Sequence, residues 1–140
     1  MSDNAFVDTN ILVYARDAGA GAKQGRAAML LDELWTNRSG RISAQVLNEY
    51  FVTVTRKLSP GLSAEEAWAD LVALSVWNPI PSDWKLMERA RGIISVYKVS
   101  WWDALVVAAA ERADCKILYS EDLSARQMYG NLRVVNPFAD

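Results

Sequence analysis

The sequence has no histidine, one cysteine and no long apolar run, and each lack removes a class of chemistry. Without histidine there is no Ser-His-Asp or Cys-His catalysis and no imidazole-ligated metal, so carboxylates are the abundant groups left for acid-base or metal work. The lone Cys115 cannot close an internal disulfide and cannot belong to a cysteine-rich zinc module, which fits a reducing compartment; at the start of a strand it reads as a small buried hydrophobe. No apolar stretch approaches the length of a membrane span, and the opening Met-Ser-Asp-Asn lacks the basic and apolar regions of a signal peptide. The expectation is a cytoplasmic protein with no membrane partner. A net charge of −2 and a pI near 5.2 exclude a broad basic surface wrapped by nucleic acid. A local basic rim remains open, with Arg16, Lys23, Arg26, Arg38, Arg41, Arg56 and Lys57 as candidates; each reads equally as an isolated solvated cation.

What is present is the composition of an ordinary globular chain: 140 residues, 51% hydrophobic and 23% charged, with no low-complexity tract or repeat. That length suits one domain, residues 1–140, burying roughly two-thirds of the surface the unfolded chain exposes.

Periodicity predicts strands alternating with helices. Ala5 to Val7 is a short apolar run ending at Asp8, and Ile11 to Ala15 continues as a helical turn. Ala27, Leu30, Leu31, Leu34 and Trp35 form one apolar stripe, ended by Asn37 to Gly40. Arg41 to Ser43 is a minimal strand leading into a helix from Ala44 to about Leu58, stopped by Pro60-Gly61. Ser63 and Glu66 form a capping box for a helix with Ala64, Ala67, Trp68, Leu71 and Val72 on one side. Val76 to Ile80 reads as a strand interrupted by Pro79. Asp83 opens a helix to about Tyr97, and Ser100 opens another through Ala113 that is apolar nearly all round, hence buried between layers. Lys116 to Tyr119 is a strand, Glu121 to Met128 a short helix or turn, and Arg133 to Val135 the last strand. The pattern predicts an α/β fold with a short parallel sheet covered on both faces.

In such a sheet ligands bind beyond the carboxyl ends of the strands, and acids recur there. Asp8 follows the first strand, Asp122 follows Lys116 to Tyr119, Asp103 lies in the first turn after Ser100, and Glu49 in the second turn of the helix after Arg41 to Ser43. Like charges about 5 Å apart repel by roughly 3 kcal/mol at an effective dielectric near 20, so an ionised cluster needs cations. Hard oxygen ligands suit Mg2+ or Mn2+, and such ions promote phosphodiester hydrolysis. Blander readings stand beside this one. Asp8 and Ser120 also read as helix or turn caps, Ser100 and Asp103 as a capping pair, and Asp122 as the i,i+4 partner of Arg126. Glu49 has Gln45, Val46, Val52 and Thr53 at helical spacing and no cation among them. The six tryptophans, Trp101-Trp102 included, read as core or interface residues rather than base-stacking platforms.

Taken in order, Phe-Val-Asp8-Thr-Asn, Asn-Glu49-Tyr, Trp-Asp103-Ala-Leu and Tyr-Ser120-Glu-Asp122-Leu resemble the PIN-domain nucleases, most closely the VapC-type toxins of toxin-antitoxin pairs. The resemblance runs from Val7 to about Val135. It implies a Rossmann-like three-layer α/β/α sandwich, Mg2+ or Mn2+ at the acidic cluster and endonucleolytic cleavage of RNA. It implies Asp8, Asp103 and Asp122 as metal ligands, Glu49 completing the cluster or orienting water, and Asn10 and Ser120 as supporting groups. A homodimer silenced by a small cognate antitoxin is implied as well. Two rivals are a receiver-like Mg2+-binding signalling domain and a PIN fold that binds without catalysis. Against the receiver, Asp8 is followed by Thr9-Asn10 rather than a second acid, and the strand Arg41 to Ser43 ends without one.

Overall fold

A computed structural model describes residues 3–123 and 127–139 of the chain. Five strands form one sheet in the order β2-β1-β3-β5-β4: β1 (Ala5–Val7), β2 (Gly40–Arg41), β3 (Ile117–Tyr119), β4 (Met128–Tyr129) and β5 (Leu132–Val135). β1, β2, β3 and β5 run parallel, and only β4 is antiparallel. Six α-helices accompany them, α1 (Thr9–Arg16), α2 (Ala22–Thr36), α3 (Ala44–Val52), α4 (Ala64–Leu74), α5 (Trp84–Tyr97) and α6 (Trp101–Arg112). This is the α/β architecture that the alternating pattern predicts. Among the described residues no single helix is long and apolar enough to cross a membrane.

The core follows from residue type. Phe6, Val7, Leu118 and Val134 are wholly buried, as expected of strands covered on both faces. α6 buries every residue from Ala104 to Ala110; its small side chains let it lie close between β3 and α5. The starts of α3 to α6 carry the side-chain cap their sequence offers, whereas α2 begins after Gly21 with none. Ser43 accepts from Val46 N–H, Ser63 and Glu66 complete the capping box of α4, Asp83 accepts from Leu86 N–H, and Ser100 accepts from Asp103 N–H.

Four expectations need correcting. Val76 to Ile80 is not a strand: Ser75–Trp77 is a 3-10 turn, Asn78 takes a left-handed conformation, and only Ile80 bridges to Ser43. Pro79 has no N–H for a ladder, and Trp77 turns inward so closely that a Cβ on Gly40 would lie 2.4 Å from its ring. The helix from Ala44 ends as an α-helix at Val52 and continues as one π-helical turn, Thr53–Lys57. The strand expected at Arg41 to Ser43 is Gly40–Arg41, with Ser43 forming only an isolated bridge to Ile80. Finally, Met128–Tyr129 pairs with β5 across Gly130-Asn131, Gly130 supplying the positive φ of 62° that a two-residue hairpin loop requires. The expected short element from Glu121 to Met128 falls partly on residues 124–126, outside the described residues, as does the proposed pairing of Asp122 with Arg126.

Candidate active site

The strand order fixes where a site forms. From β1 the chain crosses to β2 on one side and then returns to β3 on the other, so the crevice beyond the carboxyl ends of β1 and β3 is the topological switch point. Asp8 is the first residue past β1 and Ser120 the first past β3. Their backbones join through Asp8 N–H donating to the Tyr119 carbonyl, 3.0 Å, and their side chains through Ser120 Oγ donating to Asp8 Oδ2, 2.7 Å. Asp8 Oδ1 accepts from Thr9 N–H, 2.8 Å. Asp8 therefore caps α1 and also faces the crevice; the structural and functional readings of this residue coexist.

The other acids attach to this center through neutral donors. Thr9 Oγ1 donates to Glu49 Oε2, 2.9 Å, and Gln45 Nε2 donates to Glu49 Oε1, 3.1 Å. Asn10 Nδ2 donates to Asp122 Oδ2, 3.1 Å, while Asn10 Oδ1 accepts from Glu121 N–H, 3.2 Å. Ser120 Oγ accepts from the N–H groups of Asp122 and Leu123. Asp8, Glu49 and Asp122 are thus held by three successive residues, Asp8-Thr9-Asn10, and by Ser120. Glu121 points elsewhere, accepting from Tyr14 Oη and pairing with Lys23 Nζ at 2.6 Å. These partners keep its carboxyl below the usual range, Lys23 most strongly.

Asp103 is not brought into this hydrogen-bonded set. Its N–H donates to Ser100 Oγ, the cap of α6, but its carboxylate accepts no hydrogen bond among the described residues, so the capping pair with Ser100 is one-sided. It connects more loosely: Gln45 Nε2, which holds Glu49, also reaches the carbonyl of the adjacent Trp102 at 3.5 Å. On its other side, burial and then the charge of Asp103 push the Tyr129 phenol up.

Electrostatics mark Asp8. It is 9% exposed, and its carboxyl is pushed up to about 6, chiefly by burial, with the charges of Glu49 and Asp122 adding to the rise and the Ser120 and Thr9 hydrogen bonds opposing it. Among the described residues none of Asp8, Glu49, Asp103 and Asp122 forms an ion pair. Every donor among the described residues that touches them is a hydroxyl, an amide or a backbone N–H, which orients a carboxylate without neutralising it. Among the described residues no three acidic groups stand close enough to ligate one ion jointly. Mg2+ does not require that, since it keeps several waters and uses one or two carboxylates. Each Asp8 oxygen accepts one hydrogen bond and retains a second lone pair. The donor set fits a hard divalent cation.

Sequence reasoning missed Thr9 and Gln45. Both signals were present: Thr9 stands between two residues already singled out, and Gln45 lies one helical turn before Glu49, where a Gln–acid pair is favorable.

No curated protein sequence is similar enough to count as a relative of this chain. Several solved structures share its fold. A toxin-antitoxin complex from Klebsiella pneumoniae is 22% identical, covering 96% of this chain and 98% of that one, with a TM-score of 0.69. VapC20 from Mycobacterium tuberculosis, a toxin that cleaves the sarcin-ricin loop, is 23% identical over 85% of this chain and 92% of its own, with a TM-score of 0.64. VapBC2 from Rickettsia felis, bound to a DNA fragment from its promoter, is 20% identical over 93% and 96%, with a TM-score of 0.63. At these identities the likeness is one of fold. The sequence itself matches a family description over residues 5–131, and the chain belongs to the PIN domain family, a family of nuclease domains.

Proposed function

We propose that this chain is a metal-dependent endoribonuclease that hydrolyses RNA phosphodiesters with Mg2+ or Mn2+, and that it acts in the cytoplasm as the toxin of a VapBC-type pair. One observation carries the reading: a buried carboxylate at the switch point lies beside two further acids, and among the described residues no cation pairs with any of them. Such charge has a use where a hard cation joins it.

Asp8, Asp103 and Asp122 would hold one or two ions, directly or through bound water, with Glu49 completing the set. When bound, a divalent cation offsets charge developing on the phosphate and acidifies water. The chain's own groups do the positioning. Ser120 Oγ and Thr9 N–H fix both Asp8 oxygens, and Asn10 Nδ2 fixes Asp122. Glu49, solvent-facing and clamped between Thr9 and Gln45, would orient the attacking water and take its proton at a carboxylate oxygen.

A small cognate antitoxin and a homodimer belong to the same proposal. They are supported by the toxin-antitoxin complexes of the same fold and by exposed aromatic surface at Trp68 and Trp84. The test of the activity is incubation with structured RNAs and Mg2+ or Mn2+, comparing the parent with Asp8→Asn and Asp103→Asn. Cleavage that both substitutions and EDTA abolish is expected; variants that cut as well as the parent overturn the assignment.

A further inference from the structure

An acidic protein that handles RNA needs a cation where the strand lies, and among the described residues four of its cations are engaged in ion pairs. Arg16 pairs with Asp70, Lys23 with Glu121, Arg89 with Glu111 and Arg112 with Asp83. Lys57 is different. It has no ion-pair partner among the described residues, and it closes one end of an open groove of about 440 Å³ whose other lining residues are Thr9, Asn48, Glu49, Val52 and Thr53. Thr9 and Glu49 are members of the acidic site, so the groove is continuous with it.

The helix geometry explains the alignment. Glu49 and Thr53 are one turn apart, and the π-helical turn Thr53–Lys57 brings Lys57 round near the same face. Eight residues of α-helix advance about 12 Å, and a side chain that leans back toward the helix N-terminus shortens the gap. Lys57 ends roughly one nucleotide from the acids. Between them stand the Thr53 hydroxyl and the Asn48 amide, with Val52 as the apolar wall: donors for phosphate and sugar oxygens, and a surface for a ribose.

We propose that this groove is a substrate subsite in which Lys57 holds the phosphate next to the one being cut, while Thr53 and Asn48 contact the intervening nucleotide. The proposal rests on the ribonuclease reading above and adds a direction, with the strand running along α3 from the acids to the π-helical turn. It is compatible with a net charge of −2, because one placed cation can hold a phosphate without a broad basic surface.

The experiment measures cleavage of a short oligoribonucleotide in Mn2+ over a range of salt. The proteins are the parent, Lys57→Ala, Lys57→Arg and Lys116→Ala; the last removes the same charge just before β3, at the opposite edge of the sheet. Loss of one charge-assisted phosphate contact raises KM about tenfold in Lys57→Ala, with kcat nearly unchanged and Mn2+ affinity not weakened. The slope of log(kcat/KM) against log[salt] becomes shallower by about 0.7. Lys57→Arg restores the parent values, and Lys116→Ala behaves as the parent. A methylphosphonate at the phosphate neighboring the cut slows the parent but not Lys57→Ala, a coupling that a purely structural lysine does not produce. A protein that cuts no RNA overturns the nuclease reading and the subsite with it. One that cuts RNA with Lys57→Ala indistinguishable from Lys116→Ala overturns the subsite alone.

Discussion

Asp8→Asn should stabilise the protein while removing its activity, and pH should reveal why. In the folded chain the Asp8 carboxyl is pushed up from an ordinary value of 3.8 to about 6, mainly by burial. A group that binds its proton more tightly in the folded state favours folding when protonated and opposes it when ionised. The penalty is therefore absent below about pH 4, grows as pH rises through 4 to 6, and is complete above 6. At 1.36 kcal/mol per unit, the shift from 3.8 to about 6 amounts to about 3 kcal/mol. Asparagine resembles the neutral acid in shape and in having one strong acceptor oxygen, so it shares the protonated form's contacts and escapes the ionisation cost.

The assay is denaturation of both proteins in EDTA from pH 4 to pH 8. Near pH 4 the two should have nearly equal stability. The variant's advantage should then widen to about 3 kcal/mol and level off above pH 6.5, which for a chain of this size is a melting-temperature gain of roughly 10 °C. Saturating Mn2+ should narrow the gap by stabilising the parent, about 2.7 kcal/mol at a hundredfold excess over Kd. A difference that does not change with pH would refute the reasoning, because Asp8 would then titrate alike in both states and carry no stored electrostatic cost.

Three further outcomes follow from the same geometry. Ser120→Ala removes the donor to Asp8 and the acceptor for the Asp122 and Leu123 N–H groups; a loss of about 2–3 kcal/mol and an alkaline shift in the acid limb of the cleavage profile are expected, read by urea denaturation and by a pH–rate series. Glu121→Gln, which disturbs only the Tyr14 and Lys23 contacts, should lower the melting temperature slightly and leave cleavage intact, whereas Asp122→Asn should lower kcat at least a hundredfold; equal losses would show that the wrong acid has been placed in the site. Gly40→Ala sets a Cβ 2.4 Å from the Trp77 ring and should cost about 2–3 kcal/mol, with quenching or a shift of tryptophan fluorescence as the ring moves.

Asp8 was legible because a buried parallel strand must end, and the residue after it must face the carboxyl edge of the sheet. Glu49 was legible by a lack, since no cation stands at helical spacing from it. What the sequence left open were pairings between distant residues. Glu121 and Asp122 are chemically near-equivalent neighbors, and the choice between them is made by Tyr14 and Lys23, 107 and 98 positions away. The tryptophans misled in part for a related reason. Hydrophobicity predicts burial only where another element covers the side chain, and of the six only Trp77 is buried, while Trp102 remains 63% exposed. The Gly130-Asn131 hairpin is the opposite case, a local signal that a helical reading of the preceding residues overrode.

Asp103 shows where motif and geometry carry different weights. The motif Trp-Asp-Ala-Leu marks it as strongly as any acid in the chain, yet the fold restrains it least: its backbone is fixed by Ser100, and its carboxylate accepts no hydrogen bond among the described residues. Asp8 and Asp122, by contrast, are fixed by short neutral contacts. A carboxylate that is half-buried at a helix start, and that among the described residues has neither a hydrogen-bond donor nor an ion-pair partner, gains the most from a cation arriving opposite it, because the N-terminal end of α6 compensates its charge only in part. Closely held acids on one side and a loosely held one on the other leave β1 and β3 to fix Asp8 and Asp122, with Asp103 carried separately on α6. The rigidity of Asp8 is therefore the part of the site built into the fold, and its cost in stability is the quantity by which that rigidity can be measured.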